Sequence, residues 1–486
     1  MNQVDERGAL PSLPAAFVWG VGTSAFQIEG EAEGRSDSIW DRFCAEPGRI
    51  ADGSDGRIAC EHVSHLEEDV ELLRSLGVNA YRFSISWPRV MPSGRGELSG
   101  EGLDFYDRLV DGLLDAGIEP WATLYHWDLP VELQDDGGWL DRRTVDRFTD
   151  YALGMHAALG DRVRQWATLN EPWCSAWLGY GSGVHAPGFA DHPSAVRAAH
   201  HLLLAHGRAV EALRSQAPAD HQLGIVLNLF SFHTAPGVSE DRTQEVERVV
   251  RLLDGEQNRW FLDPLLLGSY PPDLLETFAP HLEGFVRDGD LRQIAAPLDY
   301  LGVNYYSDHF LLPASDGSQE QGEHSGLAGP GSYPGVGNVR WSDPGDEGTS
   351  MGWHITPEGL KALLLRIGRD YPGAPALVVM ENGAAFHDPL PGPDGTVEDP
   401  RRGAYLTSHV ESLIEAVAQG ADVRGYFAWT LLDNFEWSQG YTQRFGLVRV
   451  EEGSLRRFPK RSFEVYRDLI ARYRGGGGSG SSGGSL

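Results

Sequence analysis

Two glutamates stand out by their company. Glu171 closes the run RQWATLNE (164–171), and Glu381 sits in VVMENGAAF (378–386). Each follows a β-rich stretch and has an asparagine beside it. Splitting an acetal needs one acid to protonate the leaving oxygen, and a second carboxylate to attack the anomeric carbon or to activate water. Alone, either glutamate would read as a carboxylate favouring the N-terminus of the next helix. Two such residues, in matching positions, favour the catalytic pair. The sequence does not measure their separation, about 5–5.5 Å in a retaining pair and about 6.5–9.5 Å in an inverting one.

A third charged group belongs with them. Arg82 alternates with Tyr81 and Phe83 in NAYRFSIS (79–86), and a period of two sets it on the face opposite those apolar neighbours. An inward arginine needs an anionic partner, because burying it alone is costly. Glu381 is the expected partner. The cation would keep Glu381 charged as a nucleophile, and that charge would hold a proton on Glu171. When Glu381 becomes a neutral ester the repulsion ends, and Glu171 turns into a base.

These residues need a scaffold. Eight β-rich runs occur, at 17–27, 79–86, 119–126, 164–171, 222–230, 299–307, 376–382 and 423–432. Amphipathic stretches separate them, such as HLEEDVELLRSLG (65–77) and LDFYDRLVDGLLDAG (103–117), each ending in glycine at the expected helix stop. Eight strand–helix units predict an α/β protein, a single (β/α)8 TIM barrel with long βα loops over the active-site face. A doubly wound open sheet is the alternative, but no G-x-G-x-x-G follows the first run. Polar or aromatic groups fall at most strand ends: His126, Asn170 with Glu171, Asn304 and Tyr306, Glu381, then Trp429 and Glu436. In such barrels those ends build the site. Strict alternation would split Asn170 from Glu171, so a twist or bulge is expected there.

At these residues the sequence resembles the family 1 glycoside hydrolases, the β-glucosidase family, over essentially all of 14–470. FVWGVGTSAFQIEG (17–30) is similar to the family's N-terminal signature, TLNEP to its acid/base motif and ENG to its nucleophile motif. LLDNFEW with GYTQRFG (431–446) is similar to its sugar-binding segment. The resemblance implies Glu171 as acid/base and Glu381 as nucleophile, supported by Arg82, Asn304 and Tyr306. It implies that Gln27, His126, Trp127, Asn170, Tyr306, Trp353, Trp429, Glu436, Trp437 and Phe445 bind substrate. Trp173, Leu178 and His185 would shape the aglycone entrance, and Trp173 with Leu178 resembles glucose-tolerant members. Met380 departs from the family, which usually has Thr or Ser there; alternation turns it away from Glu381, toward the helix layer. Phospho-glycosidases of the family carry Ser, Lys and Tyr where this chain has Glu436, Gln443 and Phe445, and Glu436 would repel a 6-phosphate. The implied activity is retaining hydrolysis of terminal β-D-glucosyl residues, from β-glucosides and short cello-oligosaccharides. A galactosidase or fucosidase leaning, a transglycosylase, a metal-dependent barrel hydrolase and a non-catalytic sugar-binding barrel are the competing readings.

Bulk properties set the remaining bounds. The 486 residues carry a formal charge of −30, which argues against nucleic acid and anionic membranes as partners. Three cysteines make no disulfide framework, and no cluster suggests a metal or other cofactor. The N-terminus lacks the pattern of a secretory signal, and no apolar run is long enough to span a membrane. A cytoplasmic enzyme acting on small glycosides is expected, with self-association left open. One barrel domain is expected over 10–474. GGGGSGSSGGSL (475–486) reads as a flexible tail added by engineering, and about 311–352 as a long loop over the binding face.

Overall fold

The computed structural model describes residues 13–31, 34–314 and 333–474. The Gly/Ser tail lies outside the described residues. Eight parallel strands close into a barrel: β1 (Val18–Gly22), β2 (Ala80–Ser84), β3 (Glu119–Tyr125), β4 (Gln165–Asn170), β5 (Gln222–Asn228), β6 (Tyr300–Asn304), β7 (Ala376–Asn382) and β8 (Val423–Trp429). Each pairs with its sequence neighbours, and β8 pairs with β1. All eight fall inside the expected runs. The seven crossovers carry helices α1 (Leu66–Leu76), α2 (Gly100–Asp115), α3 (Arg143–Leu159), α4 (His192–Arg214), α5 (Glu240–Asp254), α6 (Pro357–Asp370) and α7 (Pro400–Ala418), and α8 (Arg461–Arg474) follows the last strand. Gly77 stops α1 with φ 78°, and Gly117 follows α2 with φ 73°, a backbone region open to glycine at little cost.

Alternation sorts the side chains into two cores. Tyr81 and Phe83 join the large cluster between barrel and helices. Ala80, Trp121, Ala167, Val226, Tyr300, Val378, Met380 and Phe427 fill the barrel interior. Trp121 meets Tyr300 at 5.4 Å and Phe427 at 5.2 Å between ring centroids. Glycine makes room for these rings: a Cβ on Gly20 would stand 2.2 Å from the Phe427 ring, and one on Gly224 would stand 2.5 Å from Tyr300. This packed interior is the floor on which the site rests.

Met380 corrects an expectation. It packs inside the barrel, not against the helices. Alternation itself puts it there: Val378 and Met380 point inward, with Val379 outward between them. Register breaks follow in β7, against β6 between Val379 and Glu381 and against β8 between Val379 and Asn382, and this bulge brings Glu381 to the cleft although an inward residue precedes it.

The stretch expected as one long loop contains strands. Its described residues include strands His309–Pro313 and Val339–Trp341, paired antiparallel. The first also pairs with Phe232–Thr234. Residues 315–332 of that loop lie outside the described residues.

Candidate active site

The C-terminal ends of the strands surround a cleft of about 720 Å3, counting its open mouth. Glu171, Glu381 and Glu436 all line it, together with His126, Trp127, Tyr306, Trp353, Trp429, Trp437 and Phe445. Strand order explains the meeting of the two candidate glutamates. β4 and β7 are separated on one side by β5 and β6, so β6 stands between them and serves both. Asn304, its last residue, donates from Nδ2 to Glu171 Oε1 at 2.6 Å. Two residues on, the Tyr306 phenol donates to Glu381 Oε2 at 2.6 Å.

Arg82 enters from the other side of the barrel, fully buried. Its guanidinium forms an ion pair with Glu381 Oε1 and donates to Asn170 Oδ1 at 2.6 Å. It donates as well to Thr123 Oγ1 at 3.2 Å. The inward arginine therefore has the expected partner.

Glu171 reaches the site by an unusual route. Its φ is 47°, a left-handed conformation costly for a residue with a Cβ and found most often where function requires it. A register break between β4 and β5, between Ala167 and Asn170, precedes it. Together these bring Glu171 to the cleft, while Asn170 stays behind its wall, among Arg82, Asn304 and His126. Burial raises the Glu171 carboxyl well above its ordinary range, and the charge of Glu381 adds to that. The expected repulsion is present, but desolvation is the larger cause.

Asn170 is locked by its neighbours. Its Oδ1 accepts from Arg82 and, at 3.1 Å, from Asn304 Nδ2. Its Nδ2 therefore points at His126 Nε2, 3.1 Å away. That assigns the ring proton to Nδ1, which is buried and has no acceptor among the described residues. Burial, then Arg82, pushes the His126 pKa far down, keeping the ring neutral. Trp127, with φ 78°, donates its indole N–H to the Asn170 carbonyl at 2.9 Å.

The segment after β8 supplies the opposite wall. Trp429 and Trp437 lie nearly parallel to the His126 ring, each at 5.9 Å. Gln27 is held by Phe435 O at 2.9 Å and Asn434 Oδ1 at 3.1 Å, with Glu436 Oε2 at 3.5 Å. It sits behind Glu436 rather than on the cleft wall. Burial raises Glu436 to about 8, with Glu381 and Glu171 as further causes. Near neutrality Glu436 is therefore largely protonated, which weakens the expected repulsion of a 6-phosphate. A different observation opposes a phosphate: none of the described residues lining the cleft is lysine or arginine.

The entrance differs in one respect from the sequence reading. Leu178 and His185 line the cleft. Trp173 does not; it is buried one layer back, against Tyr333 at 5.4 Å. A nine-residue π-helix, Cys174–Ser182, starts immediately after it and turns Leu178 to the cleft. Wall residues absent from the sequence reading include Cys174, Asn228, Phe230 and His309. Asn228 was findable by the strand-end rule, since it closes β5. Cys174 was findable by its position three residues after Glu171.

A closed barrel with paired carboxylates at its mouth defines a glycoside-cleaving class of enzyme. The glycosyl hydrolase family 1 profile matches residues 10–474. The bifunctional β-D-glucosidase/β-D-fucosidase of Bifidobacterium breve is 46% identical over 470 residues, covering 94% of this chain and 98% of that protein. β-Glucosidase A of Thermotoga maritima is 40% identical, covering 94% and 97%. The crystal structure of a psychrophilic β-glucosidase from Micrococcus antarcticus superposes with a TM-score of 0.89 at 44% identity, covering 95% and 98%. A Thermotoga maritima β-glucosidase in complex with deoxynojirimycin gives 0.85 at 39% identity, covering 96% and 99%. The chain belongs to glycosyl hydrolase family 1.

Proposed function

We propose that this enzyme is a retaining β-glucosidase that removes terminal non-reducing β-D-glucosyl residues from β-glucosides and short cello-oligosaccharides. The observation that carries the reading is the unequal treatment of two carboxyls at one cleft. Glu381 is clasped by a cation and a phenol, while Glu171 is buried beside it with its proton retained.

In the first step a Glu381 oxygen attacks the anomeric carbon. The bond to the aglycone oxygen breaks, and Glu171 gives that oxygen its proton. Glu381 is then a neutral ester, so its charge no longer holds the proton on Glu171. In the second step the Glu171 carboxylate takes a proton from water, water oxygen bonds to the anomeric carbon, and Glu381 leaves as carboxylate. His126, Glu436 and Trp437 bind hydroxyls at the rim of the sugar, with Gln27 bonded behind Glu436 and Asn170 behind His126. Trp429 lies under its C–H face.

The relatives' names, β-glucosidase among them, support the glucosyl preference. The name of the Bifidobacterium breve relative favours a second reading, activity on β-D-fucosides as well. We read 10–474 as one catalytic domain, in keeping with the span of the family match. A cytoplasmic setting fits three cysteines that are all free thiols. Among the described residues no helix is long and apolar enough to cross a membrane.

Trapping with a 2-deoxy-2-fluoro-β-glucoside tests the assignment. The label is expected on Glu381, and the product of ordinary hydrolysis is expected to be the β-anomer. An α-anomer as first product would overturn the reading.

A further inference from the structure

The cleft wall carries a thiol that the reaction above does not use. Cys174 Sγ lies 3.1 Å from Glu171 Oε2. Asn228 Nδ2 approaches the same sulfur at 3.5 Å. Both Cys174 and Asn228 line the cleft. The backbone sets the approach, because Cys174 N–H donates to the Glu171 carbonyl at 2.9 Å. An amide N–H aimed at sulfur occupies a lone pair, which leaves the thiol hydrogen free to turn toward Glu171.

The two oxygens of Glu171 are therefore not equivalent. Oε1 faces the Asn304 amide nitrogen, which only donates. A proton on Oε1 pointing at that group would have no acceptor. Oε2 faces a thiol, which can accept or donate. We propose that Cys174 is a positioning residue for the acid/base. Its thiol makes Oε2 the proton-bearing oxygen of Glu171 and donates to Oε2 once that proton has gone to the leaving group. No bond to sulfur forms or breaks; the only proton transferred runs between Glu171 Oε2 and the glycosidic oxygen or water. Burial and the neighbouring Glu171 push the thiol pKa far up, so it stays a donor and does not compete as a nucleophile.

The inference rests on Glu171 being the acid/base. Its test is the alkaline limb of kcat/KM for p-nitrophenyl β-glucoside, which reports the acid in the free enzyme. Losing a donor to the ionised form raises a pKa. Cys174→Ala is expected to move the limb up by about 0.5–1 pH unit, the effect of one modest hydrogen bond to a charged group. Cys174→Ser, with a stronger donor of similar size, is expected to bring the limb to or below its wild-type position, and it carries the test if the alanine variant does not fold. A purely structural defect would lower the whole profile without moving the limb. Coincident limbs in the wild type and Cys174→Ala, or equal shifts in Ala and Ser, would overturn the proposal. Glu171→Ala with added azide separates the two levels. Azide rescue on 2,4-dinitrophenyl β-glucoside alongside an unmoved Cys174 limb rejects only the role of Cys174; no rescue rejects the role of Glu171.

Discussion

Tyr306 and Arg82 hold the two oxygens of Glu381 separately, the phenol on Oε2 at 2.6 Å and the guanidinium on Oε1. A carboxylate so held has one orientation, and its attack on the anomeric carbon needs no search. Tyr306 is itself fixed: its carbonyl accepts from the Tyr405 phenol at 2.8 Å, and its ring packs against Trp353 and Phe445. Tyr306→Phe keeps that packing and removes only the donor. A hydrogen bond to a charged group contributes about 1.5–3 kcal/mol, so kcat should fall about 10–100-fold with a smaller change in KM. Steady-state kinetics check this, and a kcat within twofold of wild type would contradict it.

Arg82 has a second role, in stability. It is fully buried, and three polar side chains depend on it: Glu381, Asn170 and Thr123. Removing one partner of a buried ion pair typically costs about 3–5 kcal/mol, because the other charge is left alone. Arg82→Met should lower the urea midpoint accordingly. Adding Glu381→Gln should recover part of that loss, since the stranded charge is then gone. Additive losses in the double variant would show that the pair is not coupled.

The parts of this design differ in how plainly the chain displays them. The eight strands are legible because parallel barrel strands are short β-rich runs with helices between. Arg82 is legible because a lone cation among Tyr81 and Phe83 has only one affordable neighbour. The bulge in β7 is not legible. Alternation counted back from Glu381 sends Met380 outward, and only pairing to β6 and β8 reveals the register breaks that bring Glu381 to the cleft while Met380 keeps the inward phase of Val378. Trp173 fails for a related reason. Its distance from Glu171 along the chain is fixed, but a π-helix beginning at Cys174 sets which residues face the cleft. Such widened turns leave no periodicity signal in a nine-residue segment.

Glu436 gives a pH signature in stability. Its folded-state pKa is raised from 4.5 to about 8, by burial first. Between those values the folded protein keeps a proton that the unfolded chain releases. Its contribution is therefore fully present below the unfolded value and is lost as pH rises through the folded one. Glu171 is raised in the same sense. Urea unfolding across that window should show stability falling with rising pH, and Glu436→Gln should flatten the slope. Parallel slopes for the two proteins would remove Glu436 as a cause.

The entrance makes the last prediction. Phe230 lines the cleft, with the ring of His309 5.1 Å away between centroids and perpendicular to it. This places an apolar face outside the ring of hydroxyl-binding groups, where an aglycone would lie. Trp173, by contrast, packs behind the wall. Phe230→Ala should raise KM for an aryl β-glucoside by up to about tenfold relative to methyl β-glucoside, since burying part of an aromatic ring contributes about 1–1.5 kcal/mol at 25 cal/mol per Å2. Trp173→Phe should leave that ratio near its wild-type value. The measurement is the ratio of the two KM values in each variant. If Trp173→Phe changes the ratio and Phe230→Ala does not, the aglycone sits against the π-helix and not against the β5 end.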